Sequence, residues 1–230
     1  MDCRNCPNKK CFINSYCLHD WLNYTQNVKV SKYISASETI FSEGDLVGGL
    51  YVMCSGKAKV VFKNSEAQKH IIRIAGKGQL LGHRGLSDKM VYPISAKTLT
   101  ESEIAFISNE YFFKLIRANK DLAFYMMMFF AEELMSTEQK YIINVLQSSN
   151  EKVAAALVKV INAFGYIDKK TNKIDLGMNL QDLANFSMTS YSVLTKTLDF
   201  FSIEEIIENS GNDFYVLNEP ALRNLARIEY

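Results

Sequence analysis

The spacing of apolar and polar residues changes along the chain, and each change predicts a different kind of structure. Between residues 32 and 108, short apolar runs alternate with Gly, Asn and Ser. The clearest runs are residues 50–54, 58–62, 70–74 and 103–107. Many short strands separated by regular turns predict a β-sandwich or a small β-barrel.

The next stretch predicts two helices. Residues 110–119 have the apolar spacing of a short helix, and residues 121–148 contain no Gly or Pro and repeat apolar residues at helical intervals. A helix this long with so many apolar positions is unlike a simple surface helix. We expect its apolar stripe to pair with the same helix of a second subunit, as in a coiled coil. The alternative, that residues 126–130 (MMMFF) only cover the β-domain, stays open.

Two short helices joined by a tight turn are predicted near the carboxyl end. Leu180 and Leu183 share one face of the first helix, and Leu194 and Leu198 share one face of the second. A break lies at residues 186–188, after which a Thr or Ser is a natural N-cap. The outer edge of the second helix is polar, and its candidate DNA-contacting residues are Thr189, Ser190, Tyr191, Ser192, Thr195 and Lys196. This pattern predicts a helix-turn-helix whose second helix enters the major groove.

A hairpin and a closing helix are predicted to complete this region. Residues 205–208 and 213–217 are β-prone runs around the turn residues 209–212. Leu222 and Leu225 then predict a helix that starts near Pro220. A helix-turn-helix followed by a hairpin is a winged helix. The fold class is therefore predicted to be α+β, with an N-terminal double-stranded β-helix or jelly roll, a long dimerisation helix and a C-terminal winged helix-turn-helix domain.

Composition and charge narrow the possible functions. A hydrophobic content of 48% and a charged content of 22% are ordinary for a folded protein. The net charge of +1 is unevenly distributed, because residues 1–150 carry 18 Lys and Arg against 14 Asp and Glu, whereas residues 151–230 carry 8 against 11. DNA-binding domains usually have a basic excess, so the acidic balance counts against DNA binding.

Several classes of protein are not expected. No apolar run reaches the roughly 18 residues that span a membrane, and the N-terminus lacks the apolar core of a secretory signal. We therefore expect a cytoplasmic protein with no membrane partner, in which cysteines are thiols or metal ligands rather than disulfides. We do not expect an enzyme, because no catalytic arrangement of side chains is visible and the three histidines are far apart.

The order of these elements resembles that of the Crp/Fnr family of transcription regulators over nearly the whole chain. The resemblance rests on residues 41–45 (FSEGD), 50–60 (LYVMCSGKAKV), 78–82 (GQLLG), 96–98 (AKT), 106–108 (FIS) and 181–184 (QDLA). It implies a homodimer whose β-domains sense a signal and whose winged helices bind a two-fold operator in double-stranded DNA. RNA polymerase is a further partner that this function suggests.

The chain departs from the family pattern at the effector site and in the turn of the helix-turn-helix. Cyclic-nucleotide-binding members carry a Gly-Glu pair on the ribose and an Arg on the cyclic phosphate, where this chain has Gly82-His83 and roughly Met90. Losing both contacts removes charge-assisted hydrogen bonds, so cyclic AMP is not the expected effector. Gly82, His83 and Arg84 are candidates for binding another small molecule, including an anion, although they could equally be plain loop residues. The family's usual turn glycine is also replaced, near Met188.

Four cysteines within fifteen residues form a candidate metal site: Cys3, Cys6, Cys11 and Cys17. Four soft thiolates can surround a zinc ion or an iron–sulfur cluster. Oxygen- and nitric-oxide-sensing members of the family use a similar group, in which the gap between the second and third cysteines is one residue longer and the fourth ligand lies in the barrel. Cys54 is the only cysteine in the predicted barrel, and its apolar strand favours a plain core position. Idle, reduced thiols are the alternative.

We therefore predict a Crp/Fnr-type regulator with a cysteine-rich arm at residues 1–21, a β-barrel effector-sensing domain at 22–120, a dimerisation helix at 121–148 and a winged-helix DNA-binding domain at 149–230. A first alternative is a regulator that senses a small molecule while its cysteines stay idle. A second is a signalling adaptor whose winged helix binds protein rather than DNA, consistent with the acidic balance. A third, an iron–sulfur electron carrier, has only the cysteines in its favour.

Overall fold

The computed structural model describes residues 2–210 and 213–227, with side chains described outside residues 139–146. The chain divides into two compact units, one of residues 1–69 and 75–138 and the other of residues 70–74 and the chain from 139 onward. In the described part of the chain, no helix is long and apolar enough to cross a membrane.

The first unit is built on two antiparallel sheets, in the strand orders β1-β8-β3-β6 and β2-β7-β4-β5. The strands are β1 (Val30–Ile34), β2 (Thr39–Phe41), β3 (Gly49–Met53), β4 (Ala58–Lys63), β5 (Lys69–Ala75), β6 (Leu80–Leu81), β7 (Ser95–Thr98) and β8 (Ser102–Ser108). Leu50, Met53, Leu81 and Ile104 are fully buried. The predicted sandwich and the α+β class are confirmed.

Among the described residues, four α-helices accompany these sheets. α1 (Phe12–Tyr16) and α2 (His19–Val28) precede them, and α3 (Asn109–Ala118) and α4 (Lys120–Leu146) follow. One apolar cluster joins all four helices to β3, β6 and β8, through Ile13, Leu22, Leu115, Leu122, Leu50, Leu80 and Ile107 among others. The two helices predicted at residues 110–119 and 121–148 are present, each displaced by at most two residues.

The second unit contains the carboxyl-terminal helices and a four-stranded antiparallel sheet. Its elements are α5 (Ser149–Phe164), β9 (Tyr166–Asp168), β10 (Lys173–Ile174), α6 (Leu180–Phe186), α7 (Tyr191–Ile203), β11 (Ile207–Ser210), β12 (Asp213–Val216) and α8 (Glu219–Ala226). The strand order is β11-β12-β10-β9. A capping box between Ser148 and Glu151 starts α5, and Gly165 ends it. The predicted helix-turn-helix, hairpin and closing helix are present, whereas β9 and β10 were not predicted.

Candidate functional site

Side-chain caps at the start of α6 and at the start of α7 fix where the two helices of the helix-turn-helix begin. Asn179 caps α6 by accepting the Asp182 N–H at 2.8 Å, and Ser190 caps α7 by accepting the Val193 N–H at 3.2 Å. Between the helices, Met188 has a φ of +56°, in the left-handed region that favours glycine. Of the two N-caps predicted for α7, Ser190 is the one in place.

The six residues predicted to contact DNA lie together at the start of α7. Leu194, Leu198 and Phe201 bury the opposite face of the helix. Ser190, Tyr191, Ser192 and Lys196 are exposed, while Thr189 and Thr195 are half-buried. The early turns of α7 therefore present hydroxyl groups, one phenol and one ammonium to solvent, which is a surface able to donate hydrogen bonds to bases and phosphates.

A cavity in the first unit is lined by cysteines from two distant parts of the sequence. Cys3, Cys6 and Cys11 contribute from the N-terminal arm and Cys54 from the residue that follows β3. The remaining lining is largely apolar, and Lys29 also faces the cavity and donates a hydrogen bond to the Cys3 thiol at 3.3 Å between Nζ and Sγ. The sequence missed Cys54 as a member of this group.

The fourth predicted ligand, Cys17, is elsewhere. Its buried thiol donates to Asn119 Oδ1 at 3.8 Å, and Cys17 does not line the cavity. The four cysteines predicted as one ligand set are therefore not brought together as a set. The structure instead places Cys54 with the first three.

The cavity's donor set suits a soft metal. Burial raises the pKa of the Cys11 thiol, and the nearby Cys6 and Cys3 thiols raise it further. Burial also raises the pKa of Cys54 to about 11. Such thiols are neutral at pH 7 unless a cation stabilises their thiolates. Within residues 2–210 and 213–227, no three His, Cys, Asp or Glu side chains are close enough to hold one ion as they stand. Binding would thus require the arm cysteines to close around the metal.

Gly78 allows the arm to pack closely beside this cavity, because it has no side chain. Its φ is +92°, and a Cβ there would lie 3.0 Å from both the N and the Cα of Cys11. The Gly78 carbonyl also accepts the Phe12 N–H at 3.4 Å. A side chain at this position would therefore push Cys11 away from the sheet.

The three candidate effector residues form a tight turn after β6 that is packed against α4. Gly82 has a φ of +85°, and the side chain of His83 is 2% exposed. The His83 ring packs edge-on against Phe129, with 4.9 Å between ring centroids. The Arg84 guanidinium donates to Glu133 Oε2 from Nε at 3.0 Å and from Nη2 at 2.5 Å. These side chains face α4 residues, and none of the three lines the cysteine cavity.

Helix α4 has apolar residues on two opposite sides. Leu122, Met126 and Phe129 pack against the core of the first unit. On the other side of the helix, large apolar side chains are exposed between residues 124 and 135: Phe124, Met127, Met128, Leu134 and Met135. A helix that is apolar all round is normally covered on both sides.

Comparison with known proteins gives relatives that extend over nearly the whole chain. Residues 31–119 match the cyclic nucleotide-binding domain family. The transcriptional activator protein Anr of Pseudomonas aeruginosa is 21% identical over 225 residues, which cover 98% of this chain and 91% of the relative.

Solved structures share the fold. FixK2 from Bradyrhizobium japonicum has a TM-score of 0.77 at 16% identity, with 88% of this chain and 100% of FixK2 covered. A protein from Eubacterium rectale, described as a transcriptional regulator of the Crp/Fnr family, has a TM-score of 0.66 at 14% identity, with 94% and 98% covered.

Proposed function

Since the chain belongs to the Crp/Fnr family of transcription regulators, we propose that it is a homodimeric DNA-binding regulator controlled by a signal sensed in its first unit. The observation that carries this proposal is the capped α6–α7 pair, whose second helix exposes Ser190, Tyr191, Ser192 and Lys196 at its start. The related regulators are not enzymes, and we propose no catalytic activity. A cytoplasmic location follows from this function.

The start of α7 would enter the major groove. Helices in such motifs read bases with their first residues and contact phosphates around them. Tyr191 and Ser192 would face base edges, and Lys196, one turn later, would contact a phosphate. This positive charge matters for phosphate binding, because residues 151–230 carry more Asp and Glu than Lys and Arg.

The salt dependence of DNA binding tests this docking. Each phosphate contact that is lost lowers the slope of log affinity against log salt by about 0.9. Lys196→Gln should therefore weaken binding to promoter fragments and reduce that slope by about one, whereas Lys63→Gln, an equal charge change on β4, should do neither. Equal slopes in the two variants would contradict the docking of α7.

A second copy of the chain is the partner proposed for the exposed side of α4. Leu134 and Met127 are 61% and 60% exposed in the single chain, and they lie on the same side of the helix as Phe124. Pairing two such helices would cover this stripe and would give the two-fold symmetry that DNA half-sites require.

The cysteine cavity is the proposed site of the signal. Cys3, Cys6, Cys11 and Cys54 would hold a zinc ion or an iron–sulfur cluster, with Cys54 in the role that the sequence assigned to Cys17. An iron–sulfur cluster would supply sensitivity to oxidants, and zinc would supply a structural clip. The arm residues would have to move toward Cys54 to complete the ligand set.

The arm also contacts the dimerisation helix, which gives the signal a route. The Tyr16 and Tyr125 rings are stacked with 3.9 Å between centroids, and the Phe12 ring lies 5.6 Å from that of Phe129. Residues that follow Cys11 therefore pack on the side of α4 opposite the exposed stripe. We propose that closure of the arm shifts the population of α4 packing states and thereby DNA binding.

Cyclic AMP is not the proposed signal, because His83 and Arg84 are engaged with α4 and no arginine stands at the place of Met90. A regulator with idle cysteines and another small effector is the alternative within the family. The acidic balance of residues 151–230 favours a second candidate function, a protein-binding adaptor. If Lys196→Gln leaves the salt dependence of binding to promoter fragments unchanged, that result would support the adaptor. RNA polymerase is a proposed partner on the strength of the regulatory function alone.

A further inference from the structure

We infer that Phe129 is a positioning residue that couples the cysteine arm to the Gly82–Arg84 turn, so that the arm and the turn act on α4 as one switch. This inference goes beyond the proposed function, because it requires neither a metal nor an effector. In this arrangement the Gly82–Arg84 turn holds α4 through side-chain contacts, and it does not serve as the effector site that the sequence suggested.

The first contact in this arrangement joins the arm to α4. Cys11 lines the cavity, and the next residue, Phe12, begins α1. The Phe12 ring lies 5.6 Å from the Phe129 ring, with the planes tilted by 55°. Phe12 also packs edge-on against Tyr16, which stacks on Tyr125 one turn before Phe129. A shift of the arm at Cys11 therefore changes the space available to Phe129.

The second contact joins the same phenylalanine to the turn. The His83 ring lies 4.9 Å from Phe129 and 5.8 Å from Phe130, edge-on to both. His83 Nε2 is 3.6 Å from Glu133 Oε2, the oxygen that also receives both hydrogen bonds from Arg84. Phe129 and Glu133 are four residues apart, so they share one face of α4. Movement of Phe129 thus disturbs His83 and the Arg84–Glu133 ion pair together.

Because these side chains are closely packed, a movement of one of them costs free energy at the others. The side chain of His83 is 2% exposed, and those of Glu133 and Arg84 are 19% and 27% exposed, so the ion pair is largely shielded from water. Closely packed interiors leave an aromatic ring few alternative positions. Because coupling between two sites is reciprocal, opening the ion pair must loosen the arm as much as moving the arm weakens the ion pair.

A double-mutant cycle on the full-length, chelator-treated and reduced protein tests this coupling. The readout is the rate at which N-ethylmaleimide labels Cys11, followed by peptide mass spectrometry well below the melting temperature. Glu133→Gln should raise this rate by about fivefold, the lower end of typical site-to-site couplings. Glu132→Gln, at the exposed neighbouring position, should leave the rate unchanged. In a Phe129→Leu background, Glu133→Gln should add no further increase.

The result that overturns the inference is an unchanged Cys11 rate in Glu133→Gln, or an increase of the same size with and without Phe129→Leu. Arg84→Gln opens the same ion pair from the other side and replaces Glu133→Gln if that variant does not fold. Since the protein is metal-free, failure here is distinct from failure of the proposed metal site, which metal analysis of the untreated protein reports.

Discussion

The thiol of Cys17 donates to the carboxamide oxygen of Asn119, with 3.8 Å between Sγ and Oδ1. The same oxygen accepts the Leu18 N–H at 3.0 Å, and the Asn119 amide donates to the Leu115 carbonyl at 2.8 Å. Asn119 is the residue between α3 and α4, and its fully buried side chain bonds to the end of α1. Cys17 therefore anchors the arm to the helices, and the cavity is left to the other cysteines.

Replacing Asn119 by Ala should destabilise the first unit. The Leu18 N–H, in a part-buried site, would lose its acceptor, and losing a hydrogen bond of this kind costs about 1 kcal/mol. Denaturant unfolding of this unit measures the loss. Asn23→Ala removes an exposed carboxamide from α2 and should change the free energy of unfolding little. Equal stability of the two variants would show that Asn119 is not the anchor described.

Gly78→Ala should weaken metal binding at the cavity. The new Cβ would lie 3.0 Å from the Cys11 backbone and displace the arm, whereas Gly44→Ala has a similar φ of +89° with nothing within 4 Å of the Cβ. Both variants carry the same backbone strain, so a difference between them isolates the clash. Competition with a chelator measures metal retention. If Gly78→Ala retains as much metal as Gly44→Ala, then the close contact between Gly78 and Cys11 is unimportant for metal binding.

Met188→Gly should stabilise the second unit by about 1 kcal/mol, because glycine adopts a positive φ without the strain of a Cβ. Met188 is 46% exposed, so little packing is lost. Met188→Ala keeps the Cβ and should give no such gain. Thermal unfolding of the pair measures the difference, and an alanine variant as stable as the glycine variant would place the gain elsewhere.

Leu134→Glu should prevent dimerisation. It puts a charge on the most exposed residue of the stripe on α4, where a partner helix would bury it without a counter-charge. Ser136→Glu adds the same charge at an exposed position off the stripe and should remain dimeric. Sedimentation or light scattering reports the mass. If Leu134→Glu is still a dimer, then the stripe is not the interface.

The elements that could be predicted are those with a strong local period. α4 and the α6–α7 pair were visible because apolar residues repeat at helical spacing and because Ser190 precedes α7. β9 and β10 were missed, since strands of three and two residues are too short to show alternation.

Contacts between residues that are far apart in the sequence explain what was missed at the candidate site. Cys54 looks like a core residue on an apolar run, and only the pairing of β3 with β8 and the packing of the arm place it beside Cys3. Glu133 gave no signal either, because a single carboxylate on a long helix is usually solvated. Its partner Arg84 lies 49 residues away in sequence. The departure of Cys17 from the predicted ligand set has the same origin, since its partner Asn119 is 102 residues away.

We propose that Cys54, rather than Cys17, completes a metal site with Cys3, Cys6 and Cys11. The most direct test is iron, sulfide and zinc analysis of protein purified without oxygen, together with Cys54→Ala and Cys17→Ala. Bound metal is expected in the unmodified chain and in Cys17→Ala, and its loss is expected in Cys54→Ala. A metal-free unmodified protein, or loss in Cys17→Ala with retention in Cys54→Ala, would contradict it.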